Sequence, residues 1–245
     1  PRHPQIIAHR GARLVAPENT LTAFAKAIEM GADGIELDVH ATKDGKLIVI
    51  HNFTLDDTTN GIGNVEALTA VELARLDAGS HFGADFAGTP MPTLDEVFDL
   101  VDGRCRVNVE IKSNNPTGGN EVEPLVEMIR ARGLFDQVIV SSFNPVTLIK
   151  CRWMEPKIDL GLLFYEGLPA HLASAWMSPI IQPQAVHPWH GLVDGAFIMW
   201  AREKGVAVNV WTVNDVEDAK RLYALGVDAI ITDAPDLMIR ELFGE

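Results

Sequence analysis

The stretch "GIELDVH", Gly34 to His40, decides the fold. Ile35, Leu37 and Val39 form the apolar skeleton of a buried strand, while Glu36, Asp38 and His40 take the alternate positions. Side chains two apart on a strand share a face and stand about 6–7 Å from one another. Two carboxylates so placed repel, and burying them unpaired costs several kcal/mol. A strand of this kind is buried on one face and presents acid to something positive on the other.

Outward from this stretch, similar short apolar runs recur along the chain. They predict strands at 5–10, 33–39, 105–112, 137–143, 159–164, 179–183, 207–213 and 228–233. Helical patterns lie between them. "NTLTAFAKAIEMG" sets Leu21, Phe24, Ala25 and Ile28 on one stripe and ends in Gly31, a natural residue just past a helix end. "EPLVEMIRARG", "PVTLIKCRWM", "DGAFIMWAREKG" and "VEDAKRLYALG" continue the alternation. Eight strands, most followed by a helix, predict a (β/α)8 TIM barrel, with a doubly wound open sheet as the alternative.

One segment breaks the rhythm. "ATKDGKLIVIHN" carries a hairpin signal at Asp44-Gly45. A turn there would set Val39 roughly against Ile50 and return His51 to the side of Asp38. The 52 residues from His51 to Asp102 are too many for an ordinary loop, and contain the helical patterns "TAVELARL" and "TLDEVFDLV". The expectation is a single barrel domain over 1–245 with a small insertion after the second strand, at about 52–92.

Bulk properties narrow the function. A formal charge of −14 over 245 residues argues against nucleic acid or an anionic membrane as partner. Any anionic substrate must be drawn in by local positive charge or by a metal. No apolar run reaches the ~18 residues of a membrane span, so stable membrane insertion is not expected. The opening "PRHPQIIAHRG" lacks a signal-peptide pattern, so the expected location is cytoplasmic. Cys105 and Cys151 have neither disulfide-framework nor metal-ligand spacing and read as inert core thiols.

Polar residues sit on the predicted strands in three places: His9-Arg10 at the end of the first, and, with a two-residue spacing, Glu36 with Asp38 and Glu110 with Lys112. Charged groups at the C-terminal ends of several barrel strands mark an active site on this fold. Each pair alone could be structural: an ion pair for Glu110 and Lys112, a solvated edge for Glu36 and Asp38, a core histidine for His9. Their convergence on one barrel mouth points to chemistry instead. Glu36, Asp38 and Glu110 suit one hard divalent cation, Mg²⁺ or Ca²⁺ rather than zinc. His9 and His51 are then free for proton transfer, and Arg10 and Lys112 offer charge to an anion. His40, His187 and His190 read as solvent-facing or structural.

The motifs "AHRGA", "PENTLTAF", "GADGIELDVHATKDGKLIVIHNFTLDDTTNGIG", "MPTLDEVF", "VNVEIK", "VSSF", "VWTVN" and "GVDAIITDAP" resemble, in this order, the glycerophosphodiester phosphodiesterase family in its short bacterial form. The resemblance implies hydrolysis of small-molecule glycerophosphodiesters to glycerol 3-phosphate and an alcohol. Carried over by position, it implies metal ligands at Glu36, Asp38 and Glu110, and catalytic histidines at His9 and His51. Arg10 and Lys112 correspond to phosphate-binding cations, Glu18 and Asn19 to supporting residues, and Phe143 and Trp211 to pocket walls. Two positions depart from the family: Asn52 stands where Asp is common, and Asp57 where Arg is common. They put specificity or loop stability in question rather than activity. A lysophospholipase D or sphingomyelinase D-like enzyme and a non-catalytic glycerophosphodiester-binding protein are the rival readings. The preferred alcohol, the metal used, the division of roles between the histidines and the oligomeric state stay open.

Overall fold

The computed structural model describes residues 3–169 and 174–244. Its strands are β1 (Gln5–His9), β2 (Gly34–Ala41), β3 (Leu47–Val49), β4 (Arg106–Ile111), β5 (Val138–Ser142), β6 (Asp159–Phe164), β7 (Ala185–Pro188), β8 (Ala207–Val210) and β9 (Ala229–Thr232). All except β3 run parallel. β1 pairs with both β2 and β9, so the sheet closes into an eight-stranded barrel ringed by helices, the expected TIM-barrel class.

Local chemistry explains the elements. The helix Leu21–Glu29 starts at Thr20, whose side chain accepts from Ala23 N, and buries Ala23, Phe24 and Ala27 against the sheet. Ile35, Leu37 and Val39 join the same apolar core from β2. Gly11 follows β1 with a φ of 83°, and a Cβ there would lie 2.7 Å from the Ala23 backbone. Only glycine lets the chain turn this tightly beneath that helix.

The hairpin after β2 exists, with a register one residue from that expected. Val39 faces Val49, and Ile50 N donates to Asp38 O at 3.0 Å. The turn is not a two-residue loop with both centres left-handed. Gly45 alone has positive φ (75°), while Gly45 N donates to Thr42 O and Thr42 N to Lys46 O, the pattern of a three-residue turn closed by a glycine bulge. His51 lies just past β3, where the chain has left the ladder, so the shifted register still leaves it at the barrel mouth.

The segment that follows has a small core of its own, Leu55, Val65, Leu73, Ala78 and Met91 packed on Ile48 and Ile50. "TAVELARL" forms only a single turn, Ala70–Leu73, with a capping box at Thr69 and Glu72. "TLDEVFDLV" forms the helix Leu94–Val101, capped the same way by Thr93 and Glu96.

The seventh strand corrects the sequence reading. Residues 179–183 are not a strand; Ser178–Ile181 is a helical turn with Pro179 in its first positions. The strand is β7, "AVHP", with His187 fully buried inside the barrel. Asn209 Nδ2 donates to His187 Nε2 at 3.0 Å, and burial pushes the imidazole down to about 3. A solvent-facing His187 is therefore ruled out and the structural role holds. His187, with Asn108, Asn209 and the small Ala185, Ala207 and Ala229, surrounds a cavity of about 590 Å³ toward the N-terminal ends of the strands. Cys151 is buried and Cys105 half-buried; burial pushes their thiols up to about 12 and 11, consistent with inert cysteines.

Candidate active site

At the C-terminal ends of the strands a second cavity, of about 550 Å³, opens to solvent. His9, Arg10, Glu36, His51, Glu110, Lys112, Phe143 and Trp211 all line it. Asp38 sits directly behind, 1% exposed, and meets the lining through its ion pairs. Glu18 and Asn19 support the floor. The Arg10 guanidinium donates to Glu18 Oε1 at 2.8 Å, and Asn19 Nδ2 to Asp38 Oδ2 at 2.9 Å. The sequence-predicted residues thus come together from β1, β2, β4, β5, β8 and the hairpin exit.

The carboxylates stand in register. Asp38 is the lateral neighbour of Glu110, and Glu36 lies two residues back on the same strand. Lys112 bridges the first two, with Nζ 3.1 Å from Asp38 Oδ1 and 2.5 Å from Glu110 Oε1. Arg10 Nε lies 3.4 Å from Asp38 Oδ2, while its backbone N–H donates to Glu36 Oε2 at 3.1 Å. That N–H is aimed by a left-handed backbone, φ 57°, a conformation that costs a non-glycine residue about 1–2 kcal/mol. Asn19, also at φ 57°, returns a hydrogen bond from its N–H to the Arg10 carbonyl and holds the strained turn.

Two cations facing three buried carboxylates leave an excess of negative charge. The carboxyl groups respond to it. Burial, then repulsion by Asp38 and Glu110, pushes Glu36 well above the usual carboxylate range. Burial lifts Glu110 to about 7 against the pull of Lys112. Burial acts on Asp38 too, but Lys112 and Arg10 outweigh it and hold the group below its ordinary range. Lys112 is buried, which works against its charge, yet Asp38 and Glu110 hold it above an ordinary lysine.

A divalent ion fits this set. One oxygen from each of Glu36, Asp38 and Glu110 lies within 4.8 Å of the other two. Oxygens on opposite sides of an ion with bonds of about 2.4 Å are about 4.8 Å apart, so no pair in this set is too far apart to share one ion. The donors are hard and anionic, as Mg²⁺ or Ca²⁺ requires, and the excess charge is of the sign that such an ion neutralises.

Each histidine has its Nδ1 engaged. His9 Nδ1 lies 2.7 Å from Asp233 Oδ1, with Nε2 turned to the cavity 4.0 Å from Glu36 Oε2. Burial raises Asp233, but the bond and charge of His9, the bond from Asn214 and the charge of Arg13 together outweigh it and keep the carboxyl below its usual range. His51 Nδ1 lies 2.7 Å from Asn52 Oδ1. Burial lowers the His51 imidazole against the attraction of Asp38. The His51 carbonyl accepts from His40 Nε2 at 3.2 Å, and His40 packs edge-on against Phe53. His40 is thus a buttress, as its structural reading had it. The far wall is aromatic. Phe143, Tyr165 and Trp211 meet nearly at right angles, with centroids 5.4–6.3 Å apart.

A model of the glycerophosphoryl diester phosphodiesterase family matches residues 9–237. The chain is 43% identical over 237 residues to the glycerophosphodiester phosphodiesterase of Caldanaerobacter subterraneus, covering 96% of each chain. The chain belongs to the glycerophosphoryl diester phosphodiesterase family. It is also 33% identical to the glycerophosphodiester phosphodiesterase of Bacillus subtilis, over 94% of this chain and 84% of the other. Among solved structures it resembles an Oleispira antarctica phosphodiesterase in complex with the product sn-glycerol-3-phosphate. That match has a TM-score of 0.87 at 27% identity and covers 98% and 97% of the two chains. A glycerophosphodiester phosphodiesterase from Agrobacterium tumefaciens matches with a TM-score of 0.82 at 30% identity, over 96% and 98%. Family membership makes the chain an enzyme of the phosphoric diester hydrolase class.

For a family member, the sequence reading overlooked one contact in particular. Asp233, the partner of His9, ends "DAIITD" on the same face as Ala229 and Ile231, so the spacing rule that found Glu36 and Asp38 would also have found it. Arg13, 3.7 Å from Asp233 and 2.6 Å from Glu18, ties the two supports together. Tyr165 and Trp189 complete the cavity wall and stood in runs with no distinctive pattern. Among the described residues no helix is long and apolar enough to cross a membrane.

Proposed function

We propose that the chain hydrolyses glycerophosphodiesters to glycerol 3-phosphate and an alcohol, using one divalent ion, Mg²⁺ or Ca²⁺, and two histidines. The observation that carries this is the grouping of three buried carboxylates, two cations and two Nδ1-anchored histidines around one cavity, in a chain of this family. Glu36, Asp38 and Glu110 hold the ion. Bound there, it would supply Lewis-acid charge to a phosphate oxygen. With the ion bound and all three carboxylates ionised, the inner charges sum to one net positive, which one phosphodiester anion balances. This local charge overcomes the repulsion of a chain with formal charge −14.

The chain's own groups do the rest. Arg10 and Lys112 lie on the cavity wall and orient the phosphate. His9, whose Nδ1 proton is held by Asp233, presents a basic Nε2 that takes the proton of the attacking hydroxyl, from water or from the neighbouring glycerol carbon. His51 returns a proton to the departing alkoxide. Phe143, Tyr165 and Trp211 shape the side that receives the alcohol. The test is release of glycerol 3-phosphate from glycerophosphocholine, with metal and with chelator. Turnover that is insensitive to chelator would overturn the metal requirement, and no turnover of any glycerophosphodiester would overturn the reading.

A further inference from the structure

The cavity at the N-terminal ends of the strands departs from the way such barrels are filled. Bulky branched side chains normally pack the interior in layers. Here β7, β8 and β9 each begin with alanine, and Ala185, Ala207 and Ala229 line a space of about 590 Å³. Ligand pockets typically span about 300–1,000 Å³. Asn108, His187 and Asn209 add polar walls. A Cβ at position 161 would lie 2.5 Å from His187 Nε2, so Gly161 makes room for the ring. Asn209 is only half-buried although it sits on a barrel strand, so the cavity is open to solvent. Asn108 and Ile231 line this cavity and the catalytic one, and Asn108 is the lateral neighbour of Glu36. An occupant would therefore lie beneath the carboxylates, on the side away from the catalytic mouth.

Two polar atoms in these walls are unpaired. Asn209 Nδ2 donates to His187 Nε2, and burial keeps the ring neutral, so its one proton is on Nδ1. His187 Nδ1 and Asn108 Oδ1 have no hydrogen-bond partner among the described residues, and these residues are 0% and 6% exposed. One is a buried donor and the other a buried acceptor, and leaving either unpaired costs stability. A hydroxyl group accepts and donates at once. An ion would fare badly, because the inner walls offer only neutral groups and a charge buried without a counter-charge is costly. The mouth favours neither sign, since Arg106 and Arg202 line it together with Asp159 and Asp228. We propose that this cavity is a second binding site, for a small uncharged polyol held by Asn108, His187 and Asn209. The inference is independent of the proposed activity.

The test titrates sorbitol and glycerol into the protein, with acetate and tetramethylammonium as charged probes. ¹⁵N NMR follows the His187 ring and the Asn209 amide, which line this cavity and not the catalytic one. Sorbitol should half-saturate both signals at about 1–10 mM, a range open to a ligand of so few atoms. The charged probes should move neither signal. Ala207→Leu fills the space from β8, away from every catalytic group. It should weaken sorbitol by about 10-fold or more, because the new side chain takes the ligand's volume, while the circular dichroism stays that of the parent. If that variant fails to fold, Asn209→Leu fills the same space from its solvent side, and the His187 signal reports. No response to either polyol at concentrations about ten times higher means that the cavity holds water only, and overturns the site. An equal response to the charged probes overturns the neutral class. A sorbitol response that survives in the filled variant puts the binding elsewhere and overturns the site.

Discussion

His9 Nδ1 and Asp233 Oδ1 lie 2.7 Å apart, joined across 224 positions of sequence by the closure of the barrel between β1 and β9. The carboxylate is itself steadied from behind, because Asn214 Nδ2 donates to Asp233 Oδ2 at 2.7 Å. The pair therefore fixes both the tautomer and the direction of His9, and it exists only because the first and last barrel strands are neighbours.

Asp233→Asn keeps the shape of this contact and removes its charge. With an amide in place of the carboxylate, the His9 ring loses the partner that favours its protonated form. The expected result is a fall in kcat of about 10–100-fold, with little change in the affinity for a divalent ion measured by calorimetry. A loss of ion binding equal to that of Glu36→Gln would show that Asp233 serves the metal rather than His9.

Ion binding should release protons. Glu110 titrates near 7 and Glu36 well above the ordinary range without a cation, and both must be ionised to ligate one. Affinity for Mg²⁺ or Ca²⁺ should then rise steeply as pH increases through about 7. Calorimetry in two buffers of different ionisation enthalpy counts the protons released. A count near zero at pH 6.5 would contradict the protonated, buried state of these carboxylates. Glu36→Gln and Glu110→Gln should each lower ion affinity and activity together.

The same groups link pH to stability. Glu110 has a folded value near 7 against about 4.5 for an ordinary glutamate. Between those values the folded chain holds more protons than the unfolded one, so the stability from Glu110 is complete below the window and lost as pH rises through it. Asp38 is lowered and acts in the opposite sense, losing stability only as pH falls below its ordinary 3.8. His40, His51 and His187 are lowered from 6.5, so their contribution is lost as pH falls below that value. From pH 6.5 to 8, therefore, urea midpoints in chelator should fall, and saturating Mg²⁺ should stabilise more at pH 8 than at 6.5. A metal increment that is independent of pH would refute this coupling.

How much of this was legible in the sequence depends on what each residue had to signal. Glu36, Asp38, Glu110 and Lys112 break the alternation of strongly apolar strands, so their chemistry and spacing stand out together. β7 carried no such signal. It is four residues long, its central side chain is a histidine turned into the barrel, and it ends in proline. The β-branched run beside it drew the strand assignment, although Pro179 suits the start of a helical turn. The hairpin register was missed by one residue because Asp44-Gly45 suggested a two-residue turn. The glycine bulge adds the residue that shifts the pairing. Asn52 and Asp57 were visible as departures from the family pattern, but the hydrogen bond from Asn52 Nδ2 to Asp57 Oδ2 appears only once the loop folds.

The last prediction separates the two histidines. His51→Ala should lower kcat on glycerophosphocholine by about 10²–10⁴, the usual scale for losing a general acid or base, with ion affinity little changed. A choline alkoxide is a poor leaving group and needs a proton as it departs. p-Nitrophenolate does not, so the His51→Ala defect should shrink on a glycerophospho-p-nitrophenyl diester. His9→Ala should show no such rescue, because the attacking hydroxyl must lose its proton whichever group leaves. Activating the nucleophile and protonating the leaving group are separate tasks, and this pair of substrates tells them apart. Rescue of His9→Ala but not of His51→Ala would exchange the two roles.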